Sequence, residues 1–334
     1  MKFIVTKEAC GNVFFSAPTM REMKKADEKL SDICHERLKD YFGNQKSSLT
    51  RLEKELCITS ESCNSFQYLV LKEIADCSRE LGYPVQSNNG TLIAYLLGLS
   101  YINPLSDCFC SKPCGILIAD STEMRIAAPV RSVLQERLDK ALGNTKDDKN
   151  NYKRISLPDS EICQNIGDAH FKVHIPEENI SFNKDVYKNV MKKIASDIIS
   201  GVHRDNKQKA FAKDLLSVQI DSFYLLFRAY GYLFNTTESE KSVDKIFSFQ
   251  YCILRDEVYD MLVCKGLPSE YALRFCRGLM SEKLKAEYFE LKARYNLQND
   301  EALQNFEQTT HYFSSFAGAN FLYLACEKEM LSIR

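Results

Sequence analysis

Glycine and proline are scarce in this chain, with 13 Gly and 8 Pro among 334 residues. Turn-rich β-sandwiches and barrels draw on far more of both, because tight reversals need residues whose φ is free or fixed. A mainly β architecture is therefore excluded, and helices are favoured. A cationic surplus is also lacking: 44 Lys and Arg stand against 45 Asp and Glu, a formal net charge of −1. A protein that holds nucleic acid by bulk electrostatics carries a clear positive excess, so any such contact here must come from a local patch. No stretch approaches the roughly 20 uninterrupted apolar residues of a membrane span. The opening MKFIVTKEACGNVFF breaks its apolar run at Lys7 and Glu8, unlike a secretory leader. The expectation from these absences is a soluble protein with no membrane role, and its scattered cysteines add a cytoplasmic setting.

What is present points to a folded globular chain. Apolar residues make up 45% and charged residues 27%, a balance that rules out disorder and collagen-like repeats. The length suits two domains or one large one. The 13 cysteines are odd in number, scattered, and embedded in apolar helix-like surroundings, as at Cys77, Cys252, Cys264, Cys276 and Cys326. Small secreted scaffolds staple themselves with disulfides, whereas a chain this long can fold on packing alone. Reduced thiols are expected.

Residues 18–43 and 49–81 read as helices, the second opened by a capping box at Thr50 and Glu53. In it Phe66, Leu69, Val70, Ile74, Cys77 and Leu81 recur at three- and four-residue steps, which makes one buried stripe. Gly82 and Pro84 stop it, a polar loop QSNNG (86–90) follows, and the apolar run 91–99 reads as a buried helix. Runs at 116–119 and 124–128 read as a hairpin around Asp120 to Glu123, and Pro129 opens a helix to about Leu142. The polar stretch 143–153 is the best candidate for a linker or exposed loop. Strand-like runs come around Ile155 and at 170–175. From Lys184 onward the pattern is helical, interrupted near Gly201, Asn235 to Glu238, Gly266 to Pro268 and Asn296 to Asp300. The expected fold is α+β and predominantly helical. Its parts would be an N-terminal part (1–142) with a small sheet, a linker (143–153) and a mainly helical part (154–334).

The segment RLEKEL (51–56), followed a helix later by ELGYPVQSNNGTLIAYLLGLSYINPL (80–105), resembles the palm region of the bacterial replicative DNA polymerase III α subunit of the PolC type. In that family a similar helix runs into Tyr-x-Val, a Gly-Ser-Arg-Gly-Ser loop, an Ala-rich helix and an Asn-Pro-Leu turn, and then zinc-holding cysteines. KKADEKLSDICHERLKDYFG (24–43) is similar to the start of that polymerase core. LRDEVYDMLVCKGLPSEYALRFCRG (254–278) and HYFSSFAGANFLYLACEKEMLSIR (311–334) resemble its later segments, in the same order. The resemblance implies a palm-like part and a fingers-like part in a short, internally deleted relative, with DNA or replication proteins as partners. The PHP, exonuclease, OB and clamp-binding parts of that family have no counterpart in the sequence.

The chemistry the resemblance implies is eroded. Nucleotide addition needs metal ions held by carboxylates and a Gly-rich cradle whose bare backbone approaches phosphate closely. The cradle is reduced to Gln86 to Gly90, with Ser87, Asn88 and Gly90 as its remnant, which an ordinary Asn- and Gly-containing turn also explains. The family's Pro-Asp-x-Asp strand, whose alternate carboxylates share a face, is matched by Pro158-Asp159-Ser160-Glu161. Asp159 and Glu161 would then hold Mg²⁺ or Mn²⁺ if the chain is active. A plain Pro-Asp-Ser turn is the alternative, and no third Asp is found. Where the family has Phe-Pro-Lys-Ala-His-Ala, this chain has Ser314 to Ala319, with Phe316 for the Lys and Gly318 for the His. Phe for Lys removes a cation and adds an apolar face. Cys108, Cys110 and Cys114 could hold zinc with Cys163, His170 or His174 as further ligands, but free thiols explain them as well.

One feature favours DNA contact. Between residues 184 and 213 lie eight Lys or Arg against Asp185, Asp197 and Asp205. Lys184, Lys188 and Lys192 step by four along a helix, with Lys193 beside them, a stripe that can grip phosphates without reading bases. A solvated helix face gives the same pattern. The leading reading is a PolC-like, catalytically degenerate protein that binds nucleic acid, a replisome component or its own copy and needs no cofactor. A reduced but active nucleotidyltransferase and a helical interaction scaffold with no nucleic-acid role are the alternatives.

Overall fold

The computed structural model describes residues 3–4, 12–16, 19–87, 90–105, 124–131, 133–134, 152–169, 182–201, 206–234, 242–248, 252–278, 285–301, 303–304 and 316–333. The chain is predominantly helical with two small sheets, and it divides into two compact units. The first comprises residues 1–105, 118–178 and 323–334; the second comprises 106–117 and 179–322. The second unit thus resumes at Asn179, and the polar stretch 143–153 falls within the range of the first.

In the first unit, β1 (Phe3–Ile4) and β2 (Asn12–Ser16) form an antiparallel sheet with β5 (Tyr152–Ser156), in the order β1-β2-β5 and with Val13 opposite Ile155. The strand expected around Ile155 is present, and this pairing carries it into the N-terminal unit. Three helices follow β2: α1 (Met20–Phe42), α2 (Lys46–Glu61) and α3 (Ser65–Glu80). Thr19 and Glu22 form a reciprocal capping box on α1, and Ala26, Leu30, Cys34 and Leu38 step by four along its buried face. The single helix expected over 49–81 is in fact α2 and α3, and Thr50 is no cap. Helix α2 starts four residues earlier, so Thr50 lies inside it and donates its hydroxyl to the Lys46 carbonyl at 2.9 Å. The break comes at Cys63, whose φ is +54°. Beyond it the predicted stripe holds at Phe66, Leu69, Val70, Ile74 and Cys77, which are buried, but not at Leu81, which follows the end of α3 and is exposed.

Helix α4 (Leu92–Leu96) is buried on every side and polar at both ends. The Thr91 hydroxyl accepts the Ala94 N–H at 3.0 Å and shares a hydrogen bond with Tyr68. Glu55, fully buried and paired with Arg51 at 2.7 Å, accepts the Ile93 N–H at 3.0 Å. At the other end Arg37 donates to the Leu96 carbonyl at 2.6 Å and Arg79 to the Gly98 carbonyl at 2.9 Å. A carboxylate at the start and guanidinium groups at the end match the helix dipole and satisfy backbone groups that water cannot reach.

The second unit contains α6 (Lys184–Ser200), α7 (Asn206–Leu215), α8 (Phe223–Phe234), α9 (Asp244–Phe247), α10 (Arg255–Cys264), α11 (Ser269–Gly278) and α12 (Lys285–Arg294); the long helix α13 (Phe316–Ile333) begins in it. Phe211 of α7 meets Tyr232 of α8 edge-on at 5.1 Å, and Val258, Leu262, Leu267, Phe275, Leu291 and Leu303 build a core of their own. The helical expectation from Lys184 onward holds at its breaks at Gly201, Gly266 to Pro268 and Asn296 to Asp300, and a further break, not expected, falls at 216–222. The break expected at Asn235 to Glu238 lies outside the described residues. The runs at 116–119 and 170–175 lie outside them.

Candidate functional site

Two segments singled out by the polymerase resemblance, 86–90 and 158–161, meet in the first unit. Strand β3 (Gln86–Ser87) pairs antiparallel with β4 (Met124–Arg125), placing Gln86 opposite Arg125. The next residue, Ile126, bridges to Asp159. Its N–H donates to the Pro158 carbonyl at 3.2 Å, and its carbonyl accepts the Ser160 N–H at 2.9 Å. The Ser160 hydroxyl caps helix α5 (Glu161–Asp168) by accepting the Cys163 N–H at 3.3 Å, and it donates to Gln86 Oε1 at 3.3 Å. The Tyr83 hydroxyl donates to Asp168 at 3.0 Å, which ties the chain before β3 to the end of α5. The same bond holds the Tyr83 proton and raises its pKa.

At this junction the carboxylates sit differently from a strand-borne metal pair. Asp159 precedes the cap, and Glu161 is the first residue of a helix, exposed in its first turn. The alternate-residue geometry expected for Asp159 and Glu161 is therefore not formed, because Ser160 between them starts a helix instead of continuing a strand. Both Asp159 oxygens are engaged by Arg131, at 2.9 Å from Nη2 and 3.1 Å from Nη1, and Nη2 also donates to the Leu157 carbonyl. A two-metal centre needs several carboxylates free to converge on the ions. Among the described residues no three His, Cys, Asp or Glu side chains do so. The residues present do not fit that group.

The remaining candidates are placed as follows. Ser87 is buried in β3, Gly90 directly precedes the Thr91 cap, and Asn88 lies outside the described residues. Cys108, Cys110, Cys114, His170 and His174 are also outside them. Cys163 is fully buried, and burial pushes its thiol up to about 12 despite the hydrogen bond from Ser160 that works the other way. Phe316 and Gly318 lie in the first turn of α13.

Lys184, Lys188, Lys192 and Lys193 all lie exposed on α6, while Val186, Tyr187, Val190, Met191, Ala195 and Ile198 are buried. Steps of four residues put successive stripe lysines about 6 Å apart along the axis. Lys184 approaches Asp221 at 3.9 Å, and Lys188 and Lys192 form no ion pair among the described residues. On α7, Lys207 and Lys213 are exposed and Lys209 is half-buried. Sequence reasoning missed Arg131: it lies 28 residues before its partner, and nothing in the local pattern marks it.

No family model matches the chain, and no curated protein matches it either. No helix among the described residues is long and apolar enough to cross a membrane.

Proposed function

We propose that this chain is a PolC-like protein that binds nucleic acid through a lysine face and performs no nucleotide addition. One observation carries the binding: three ammonium groups at four-residue steps, Lys184, Lys188 and Lys192, stand exposed on one helix, with Lys193 alongside. Such a row neutralises successive phosphates without contacting bases. The motifs quoted above support DNA and a replication setting. The engagement of Asp159 by Arg131 and the helical position of Glu161 support the absence of catalysis.

Fluorescence anisotropy with a labelled DNA duplex in low salt tests the binding. A dissociation constant of about 10⁻⁴–10⁻⁶ M is expected at physiological salt, the range of contacts made to phosphate alone, with tighter binding as the salt is lowered. The Lys184→Gln/Lys188→Gln/Lys192→Gln variant should bind at least tenfold more weakly with an unchanged circular dichroism spectrum. Equal affinity of variant and parent would refute the assignment of the face. Primer extension with Mg²⁺ or Mn²⁺ tests the second half: incorporation that vanishes in Asp159→Ala would show that catalysis persists.

A further inference from the structure

His35 stands on α1 with an oxygen at each ring nitrogen. Nδ1 lies 2.8 Å from the Ser31 carbonyl one turn back, and Nε2 lies 2.7 Å from Oε1 of Glu53 on α2. Glu53, expected to close a capping box with Thr50, thus faces another helix. A carbonyl and an ionised carboxylate have no proton to give, so the ring must donate at both ends. A neutral imidazole carries a single N–H and would turn a lone pair towards one of the two oxygens, whereas the imidazolium satisfies both. The Ser31 hydroxyl lies 3.2 Å from the same Nδ1, which gives Ser31, His35 and Glu53 the contacts of a nucleophile, a base and an orienting acid. That reading fails on the proton, because Nδ1 donates to the carbonyl and keeps no lone pair for the hydroxyl.

The charges around the ring agree with the geometry. Burial opposes protonation, but the Ser31 carbonyl, Glu53 and Asp32 outweigh it and raise the His35 pKa. On α1, Arg37 turns to the Leu96 carbonyl, while Glu36 and Lys39 are exposed. On α2, Arg51 pairs with Glu55, and on α3 both Lys72 and Arg79 pair with Asp76. Helix α4 carries no charged side chain. We infer that a proton on His35 fastens α1 to α2, and that losing it at alkaline pH opens the contact with Glu53. These two helices hold the ends of the buried helix α4, through Arg37 and Glu55, so the proton acts on the frame around α4. The Ser60 hydroxyl also donates to Asp27 at 2.9 Å across the same pair of helices, a link that does not pass through His35. Because the folded pKa is raised, the stabilisation is complete below about pH 6.5, the ordinary histidine value, and is lost as the pH climbs through the raised one. The inference is separate from nucleic-acid binding by α6 and survives or fails without it.

Nuclear magnetic resonance of the histidine rings in the full chain, titrated from acid to alkaline pH, tests it, with the His35 signal assigned by its loss in His35→Gln. The midpoint should lie above about 6.5, the value of an unperturbed imidazole, and should fall towards it in Glu53→Gln. In urea denaturation Glu53→Gln should unfold at a lower midpoint than the parent protein at acid to neutral pH. At a pH well above the His35 midpoint the two should unfold together, since the bridging proton is then gone from both. A parent midpoint at or below about 6.5 overturns the inference, and this reading needs no variant of Glu53 to fold. So does a midpoint that Glu53→Gln leaves in place. A urea deficit of Glu53→Gln that persists undiminished at alkaline pH also overturns it, because Glu53 would then act without the proton.

Discussion

Arg228 and Arg131 use the same side chain under opposite conditions of burial. Arg228 is 1% exposed, so each of its donors must find a protein partner. Nε reaches the Ile246 carbonyl at 2.8 Å, Nη2 reaches the Ser248 carbonyl at 2.8 Å, and Nη1 pairs with Glu257. Glu257 in turn accepts the N–H groups of Ile253 at 2.6 Å and Leu254 at 3.0 Å, which secures the start of α10. Burial opposes the guanidinium charge, but Glu257 and Tyr224 outweigh it and keep the pKa above its ordinary value. Arg228→Ala would leave a buried, uncompensated carboxylate. It should cost about 3–5 kcal/mol, read as a lowered urea midpoint; a loss below about 1 kcal/mol would show that Glu257 stays solvated. Sequence reasoning did not single this residue out, although it is the lone charge in the apolar run 223–234. Its acceptors are not legible in the sequence, because they come from α9 and its C-terminal cap and from α10, brought near only by folding.

At the scale of elements, several helix ends close in one way, and the residue at the turn decides whether sequence reveals it. At Gly82 and at Gly266 the turn residue has positive φ, and its N–H and that of the following residue bond back into the last helical turn. Both ends were read correctly from glycine. The end of α2 makes the same pair of bonds: the Cys63 N–H reaches the Ser60 carbonyl at 2.9 Å, and the Asn64 N–H reaches that of Thr59 at 3.0 Å. Cysteine in this conformation pays a steric penalty of about 1–2 kcal/mol that glycine escapes, and nothing in the local sequence announces the turn. Glycine also gives up about 0.5–1 kcal/mol more backbone freedom on folding. Cys63→Gly should therefore stabilise the first unit by about 0.5–1 kcal/mol in urea denaturation, and a destabilised variant would mean that the Cys63 side chain contributes packing that outweighs the strain. The misreading at 158–161 has the same origin. A spacing of two suits a strand, yet Ser160 is a strong N-cap residue, and its hydroxyl found the Cys163 N–H.

For the whole molecule, charge is nearly balanced, with 44 cationic against 45 anionic side chains. Long-range attraction to a polyanion is consequently weak, and at 0.1 M salt fields fade over about 10 Å. Binding by α6 must then come from the few lysines that touch phosphates, and its salt dependence counts them. Three contacts predict a slope of log K against log salt of about −2.7, and four about −3.6, since each neutralised phosphate of a duplex contributes about −0.9. Replacing Lys184, Lys188 and Lys192 with Gln should flatten the slope by about 2.7, while scrambling the DNA sequence should leave both affinity and slope unchanged. The basic stripe was legible because helical periodicity alone places residues 184, 188 and 192 on one face. The grouping of residues 152–169 with the N-terminal unit was not, because it rests on β5 pairing with β2 across more than 130 residues of chain. Anisotropy titrations between 20 and 200 mM salt separate the outcomes. A slope near −3 that collapses in the triple variant ties binding to this helix, whereas a slope that persists in the variant places the phosphate contacts on other cations of the chain.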